Sequence, residues 1–495
     1  MNMATSFVER YRYQTLYFLF LSAYLFVFMP MLFRFGYHWD ETLDFDGTAT
    51  DTYLANGRWM QALLRYLLGE GVHPWTTSFL ACMILPYATV LQCKLYQWED
   101  ILHDVIFGCL TIVMYQYAFV MQYSHQSDVT AIGMLLMTFS AILLTDKGWS
   151  FKTVLALITT FTALSIYQTT GLYLAAILLV WGIIQCFKGN TASAFRIVLK
   201  VLAIMVLAAA LCEVGSRLAK TFVDEETRLY CTLAHERIGN TAGLLVAPLG
   251  YIAHYALCTA KHCIKPEFKL EWMYGCTLAA LALIVAGAFR FAPGKFFTKI
   301  AIATSAVALW MLPFALILLL GNEWPCKPHT RLAEPLAFAG LWSLALRFSP
   351  FGHPFSPCAR RICAILLSVL LIKASACVSD IAKVERALFE NRMYNLKQME
   401  REACQVAEQA GLDIDKCRFI YFENGSDDQY GNEDFNGAYP AWEKIPTARN
   451  ADYAKHKETI QQMPIWPRNG SIRADKGEVI IKGASYGGTQ EMNYL

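Results

Sequence analysis

What this sequence is short of is charge. Only 17% of its 495 residues are charged, against 56% hydrophobic, where soluble globular domains average roughly 25% charged. A deficit of that size over so long a chain excludes a surface solvated by water throughout. Net charge is scarce as well, +2 at pH 7, which removes any global argument for nucleic acid or a strongly acidic partner. There is no glycine-rich phosphate loop, no serine nucleophile elbow and no ATP motif, so nothing supports energy-coupled pumping. The 15 cysteines follow neither a paired framework nor a zinc-ribbon spacing. Most, including Cys82, Cys93, Cys109, Cys186, Cys212 and Cys276, sit within or beside apolar runs, where a thiol acts as a small hydrophobe. Cys404 and Cys417, in a polar tail, could pair in an oxidising compartment. His254, Cys258 and His262 align on a helix, but the first and last lie about 12 Å apart, too far to grip one ion. His235-Glu236-Arg237 lacks the second histidine of a zinc-protease motif and reads as a polar loop element. Neither an internal repeat nor a low-complexity tract occurs.

What the chain has in abundance is long apolar runs. A bilayer-crossing helix needs about 20 mostly apolar residues. That criterion predicts about eleven spans, near 14–33, 76–93, 105–121, 128–145, 152–167, 171–187, 197–212, 271–289, 300–320, 332–346 and 362–377. The first run is long, aromatic and without a small-residue cleavage site, so it is expected to stay as a span. The expected fold class is mainly α, a polytopic helical membrane protein. Residues 1–378 would form the transmembrane domain, and 379–495 a small α/β extracytoplasmic domain.

Lys and Arg in the short loops orient the spans. A cytoplasmic N-terminus places Arg10, Arg12, Lys94, Lys147, Lys152, Lys188, Arg196, Arg290, Lys295, Lys299, Arg347, Arg360 and Arg361 inside, while the opposite loops around Ser124 and Thr169 hold no basic residue. An odd number of spans then sends the C-terminus to the far side. Three long polar segments share that side. In the first, Arg34 to Trp75, residues Tyr53 to Leu68 put Leu54, Trp59, Leu63, Tyr66 and Leu67 mainly on one face, as in a helix lying in the membrane interface, with Arg58 and Arg65 elsewhere. The second, Glu213 to Leu270, mixes charge with apolar stretches and is expected to contain further interfacial or re-entrant helices. The third follows Ser379. There Ile381, Val384, Leu388, Met393, Leu396 and Met399 predict a long amphipathic helix, and Arg418 to Phe422 and Val479 to Lys482 predict short strands. Asn424-Gly425 and Asn469-Gly470 read as turns.

The richest chemical signal is His38-Trp39-Asp40-Glu41, followed by Asp44, Asp46 and Asp51. Acidic neighbours at a membrane boundary are costly to desolvate and should face a water-filled cavity. Glycosyl transfer from a lipid phosphate needs a carboxylate to take the acceptor hydroxyl's proton, and cations or backbone donors around the departing phosphate. Asp128 precedes the apolar run beginning Val129-Thr130-Ala131, where a helix N-terminus would itself favour a carboxylate. Arg331, beside Lys327 and His329, is either a headgroup-level anchor or a phosphate ligand. Tyr167-Gln168 marks a tight turn between two spans.

The order of these features resembles a known family. Trp39-Asp40-Glu41 is followed by Asn56-Gly57-Arg58-Trp59, then by Tyr123-Ser124-His125-Gln126-Ser127-Asp128 opening a span, Tyr167-Gln168 between spans, Arg331 at the mouth of a late span, and an amphipathic segment around Ala387 to Asn395. This is similar to the Gtr-type glucosyltransferases of bacterial O-antigen and related envelope polysaccharides, from the first span to about Asn424. The resemblance implies a GT-C-like fold in the bacterial inner membrane, with a polyprenyl-phosphate glucose donor, an envelope polysaccharide acceptor and inversion at the outer, periplasmic face. It also implies a base at Asp40 or Glu41, with Asp44, Arg58, Asp128, Tyr167, Gln168 and Arg331 around the substrates. No cofactor is implied, although the acidic cluster could hold Mg²⁺ or Mn²⁺ through oxygen ligands. The competing reading is a transporter or flippase of lipid-linked sugar, which would carry ionisable residues deep in its spans and repeat symmetry. Here charge gathers at span ends and in the large loops, Lys373 excepted.

Overall fold

The structure, a computed structural model, describes residues 11–33, 48–68, 74–98, 100–146, 149–223, 272–294, 296–315, 330–348, 357–413, 418–424, 470–476 and 478–484, with isolated positions in 250–261 and 455–464. The chain packs as two compact units. The described part of the first is entirely helical. Its main helices are α1 (Arg12–Leu32), α2 (Thr48–Ala55), α3 (Trp59–Leu68), α4 (Pro74–Tyr96), α5 (Ile101–Val113), α6 (Gln116–Met121), α7 (Ser124–Leu144), α8 (Phe151–Ile166), α9 (Thr170–Phe187), α10 (Thr191–Ala219), α11 (Thr277–Phe291), α12 (Phe296–Met311), α13 (Glu334–Phe348) and α14 (Pro357–Gln409).

Each of the eleven predicted spans falls on helix, and among the described residues eight helices are long and apolar enough to cross a bilayer. The other three are short: α5 has 13 residues, α8 has 16 and α13 has 15. At a helical rise of 1.5 Å they reach only about 20–24 Å, against a hydrocarbon core of about 30 Å. The predicted run 105–121 fails to become one helix because it breaks at Met114, whose ψ of 96° leaves the helical region before α6 begins.

Contacts between helix termini sort the bundle into two ends. At one end Arg12 donates to Asp104 at 2.7 Å and to the Trp98 carbonyl at 3.1 Å, while Arg347 lies over the Trp98 ring at 5.6 Å. Arg360 reaches Asp100 at 3.8 Å. The other end carries the turns before α7, between α8 and α9, and before α13. Between the ends, packing relies on close backbone approach and a few internal hydrogen bonds, as membrane helices require. A Cβ at Gly287 of α11 would collide with the Phe348 carbonyl ending α13, and one at Gly340 would meet Val180 Cγ2 at 2.5 Å. Gln92 of α4 donates to the hydroxyls of Tyr173 on α9, at 2.6 Å, and Thr138 on α7, at 3.2 Å. Outward, Phe18, Val206, Val214 and Ile365 are largely exposed, the apolar surface a bilayer would cover.

The second unit holds the far part of α14 and a small sheet. Strands β1 (Arg418–Asn424), β2 (Ile472–Asp475) and β3 (Glu478–Ala484) lie in the order β1-β3-β2. β1 runs parallel to β3 with Arg418 opposite Glu478, and β2 runs antiparallel with Ile472 opposite Ile481. Met399, Ala403 and Ala407, spaced by four along α14, pack on Ile472, Val479 and Ile481. The two predicted strands are present, and β2 is a third. Its four residues alternate too briefly to register as a strand by pattern alone. The predicted tail helix is continuous with the last span, because no Pro or Gly interrupts the residues from Pro357 to Gln409. Cys404 packs half-buried against this cluster, and Cys417 lies outside the described residues.

Candidate active site

The site begins with a turn. Residues Tyr53 to Leu68, expected to be one interfacial helix, form two helices separated by Asn56-Gly57-Arg58. Gly57 has φ +73°, a left-handed conformation that glycine adopts without penalty. Its N–H bonds to the Leu54 carbonyl at 3.0 Å, and the Arg58 N–H to the Tyr53 carbonyl at 2.8 Å. Those two bonds close the end of α2 as a Schellman motif. A Cβ there would also meet Ser216 Oγ of α10 at 2.5 Å, so the serine side chain would have to turn away. Across the turn, Gln168 donates to the Asn56 carbonyl at 3.3 Å. Trp59 packs on Phe161 with ring centroids 5.5 Å apart, and it lies so close to Gly215 that a Cβ there would meet its Nε1 at 2.8 Å.

This arrangement fixes Arg58. Its guanidinium sits 4.8 Å from the centre of the Tyr167 ring, a cation–π contact. Tyr167 is buried at the end of α8. One face of α3 then turns inward. Gln61 and Arg65 are buried, whereas Leu63, Tyr66 and Leu67 are exposed. The apolar face is the outer one, as suits a helix at a lipid surface, and the polar face meets the bundle.

Arg65 pairs with Asp128 of α7, both almost wholly buried, and the carboxylate also accepts the Val129 N–H at 2.8 Å. Asp128 is therefore not the N-terminal cap that the sequence implied. The helix begins four residues earlier, at Ser124, and the carboxylate's partner is a guanidinium from a different segment. Among the described residues, Arg58 Nε, Trp59 Nε1, Gln61 Nε2 and Arg65 Nε are buried without a hydrogen-bond partner. Leaving such donors unmatched costs about 1–3 kcal/mol each, so an acceptor-rich group belongs beside this turn.

Arg331 is at the same end, just before α13, but it is 1% exposed and lies 3.3 Å from Glu334, which is fully buried. It also lies over Phe314 at 6.0 Å. A buried, paired guanidinium does not reach the headgroup layer, so the anchor reading of Arg331 fails. Asp40, Glu41 and Asp44 lie outside the described residues, as do His254, Cys258 and His262. The structure thus brings together Arg58, Tyr167 and Gln168, with the Arg65–Asp128 pair farther along α3 joining that helix to α7. Arg65 and Gln61 were not singled out as site residues. The available signal was their spacing: 58, 61 and 65 recur at three and four, one face of a helix.

Among the described residues, eight bilayer-length apolar helices define a multi-pass membrane protein. The sequence pattern of the glucosyl transferase GtrII family matches residues 13–343, about two-thirds of the chain and all of the site just described. The chain belongs to that family and is a glycosyltransferase, of the glucosyltransferase type. No curated protein and no solved structure matches it.

Proposed function

We propose that the protein transfers glucose from a polyprenyl-phosphate carrier to an envelope polysaccharide such as O-antigen, with inversion, at the extracytoplasmic face of the bacterial inner membrane, in a GT-C-like arrangement. The supporting observation is the Asn56-Gly57-Arg58 turn, where a half-buried guanidinium and neighbouring N–H donors face no acceptor among the described residues. That is the environment an anionic phosphate oxygen needs as its charge grows. In this reading Asp40 or Glu41 takes the acceptor hydroxyl's proton. The acceptor oxygen then bonds to the anomeric carbon as the bond to the phosphate oxygen breaks, and polyprenyl phosphate departs. Arg58 holds the phosphate, and Arg331, buried and paired with Glu334, shapes the same end without contacting it. Tyr167 and Gln168 fix Arg58 and its turn, Asp128 acts through Arg65, and Asp44 contributes to sugar binding. The N-terminus is cytoplasmic, and the unit after Ser379 is extracytoplasmic.

The test is substitution of the acidic pair. Asp40→Asn or Glu41→Gln should abolish transfer while expression and membrane insertion stay intact, and full activity in both single variants would remove the pair from the mechanism. Mass analysis of envelope glycans with and without the gene reports sugar and acceptor together, and an unaltered glycan profile would refute the assigned acceptor class.

A further inference from the structure

A cavity at the opposite end of the bundle belongs to none of this chemistry. It measures about 710 Å³ and is lined by Asp146, Trp149, Asn190, Ser193, Arg196 and Lys200, among others. Arg196 and Lys200 lie one turn apart at the start of α10, the first exposed and the second buried. Lys200 donates to the Asp146 carbonyl at 3.3 Å, and the Asp146 carboxylate is engaged by Lys152 at 2.6 Å. With Asp146 neutralised in this way, the cavity carries net positive charge. Trp149 is 72% exposed at its mouth. Along α10, Arg196 and Lys200 lie 19 and 15 residues before Gly215, which touches the Arg58 turn, or about 28 and 22 Å of helical rise. That approaches the roughly 30 Å of a hydrocarbon core, so the two sites belong to opposite sides of the bilayer.

The surface leading away from the cavity is apolar. Phe151 and Val154 on α8, and Phe195, Leu199 and Leu202 on α10, are all more than half exposed. A basic hollow at the interface, flanked by an indole and opening onto an apolar helix face, matches both parts of a charged lipid. The phosphate meets Arg196 and Lys200, and the acyl chains follow α8 and α10. We propose that this cavity binds the headgroup of an anionic phospholipid. A free phosphate would share the polar contacts but would leave the apolar face unused.

The experiment places full-length protein in phosphatidylcholine vesicles containing either phosphatidylglycerol or phosphatidylcholine brominated near the ester end of the acyl chains. The Trp149 signal is the difference in fluorescence between the wild type and Trp149→Phe. Brominated phosphatidylglycerol should quench that signal at a several-fold lower mole fraction than brominated phosphatidylcholine. Arg196→Gln should weaken the preference about fivefold, the usual effect of one basic residue at an anionic lipid surface. Arg196 is exposed, so this variant keeps the packing. Arg290→Gln removes an exposed cation at the same end of α11 and should leave the preference unchanged. Equal quenching by the two lipids would overturn the proposal, as would equal losses in Arg196→Gln and Arg290→Gln. Abolition of the preference by millimolar inorganic phosphate would overturn it in favour of a soluble anion.

Discussion

The Arg65–Asp128 pair offers the sharpest test of how the site is built. Both side chains are within a few per cent of complete burial, and one carboxylate oxygen already accepts the Val129 N–H. Asp128→Asn leaves the Arg65 charge in a low-dielectric setting without its counter-charge, and Arg65→Met strands the carboxylate. Breaking a buried pair from one side costs about 3–5 kcal/mol, whereas replacing both partners with neutral groups is often near neutral. For a bundle of this size the single variants should lose on the order of 10 °C in melting temperature, and the double variant Arg65→Met with Asp128→Asn should recover most of that loss. Thermal melting in detergent, run alongside a glucosyl-transfer assay on the same preparations, reads both quantities. If the pair only braces α3 against α7, transfer recovers with stability in the double variant. If Arg65 also contacts the donor, the double variant is stable and inactive. A double variant no more stable than the weaker single variant would refute the reasoning, because it would mean the two charges are not each other's main partner.

Other perturbations probe the surrounding geometry. Gly57→Ala combines a disfavoured φ with a Cβ 2.5 Å from Ser216 Oγ; it should lower the melting temperature and reduce transfer, and an unchanged variant would show that the turn relaxes freely. Arg58→Lys keeps the charge but not the planar guanidinium over Tyr167, so transfer should fall about tenfold or more while stability changes little; equal activity would remove Arg58 from the phosphate site. Gly287→Leu should separate α11 from the end of α13 and destabilise the bundle by about 1–3 kcal/mol, seen as a lower melting temperature, and an unchanged melt would show that this close approach is not needed for packing. Asp100 is partly buried, which raises its pKa, but hydrogen bonds from His103 and the charge of Arg360 outweigh that and hold it below the ordinary carboxylate value. Its contribution is therefore present above about pH 4 and lost as pH falls through the lowered value. Asp100→Asn should show a shallower acid decline in melting temperature than the wild type, and identical slopes would contradict this.

Much of the architecture was legible in one dimension. Apolar runs of bilayer length need no tertiary information to become helices, since hydrocarbon leaves backbone groups no partner except their own chain. That is why all eleven predicted segments fall on helices and why the parallel pairing of Arg418–Asn424 with Glu478–Ala484 involves segments already readable as strands. Three things depended on the folded chain. The run 105–121 divides at Met114, which no Pro or Gly announces. The partner of Asp128 is 63 residues away, so local capping logic pointed to the wrong neighbour. Arg331 looks like a basic flank in sequence, but its burial against Glu334 and Phe314 arises from how the end of α12 meets the start of α13. By itself, then, the sequence determined where helices form and which residues are unusual among them, because solvation by lipid acts on each segment separately. The tertiary structure decided which of those residues meet, because ion pairs, ring contacts and close glycine approaches exist only between segments brought together by packing.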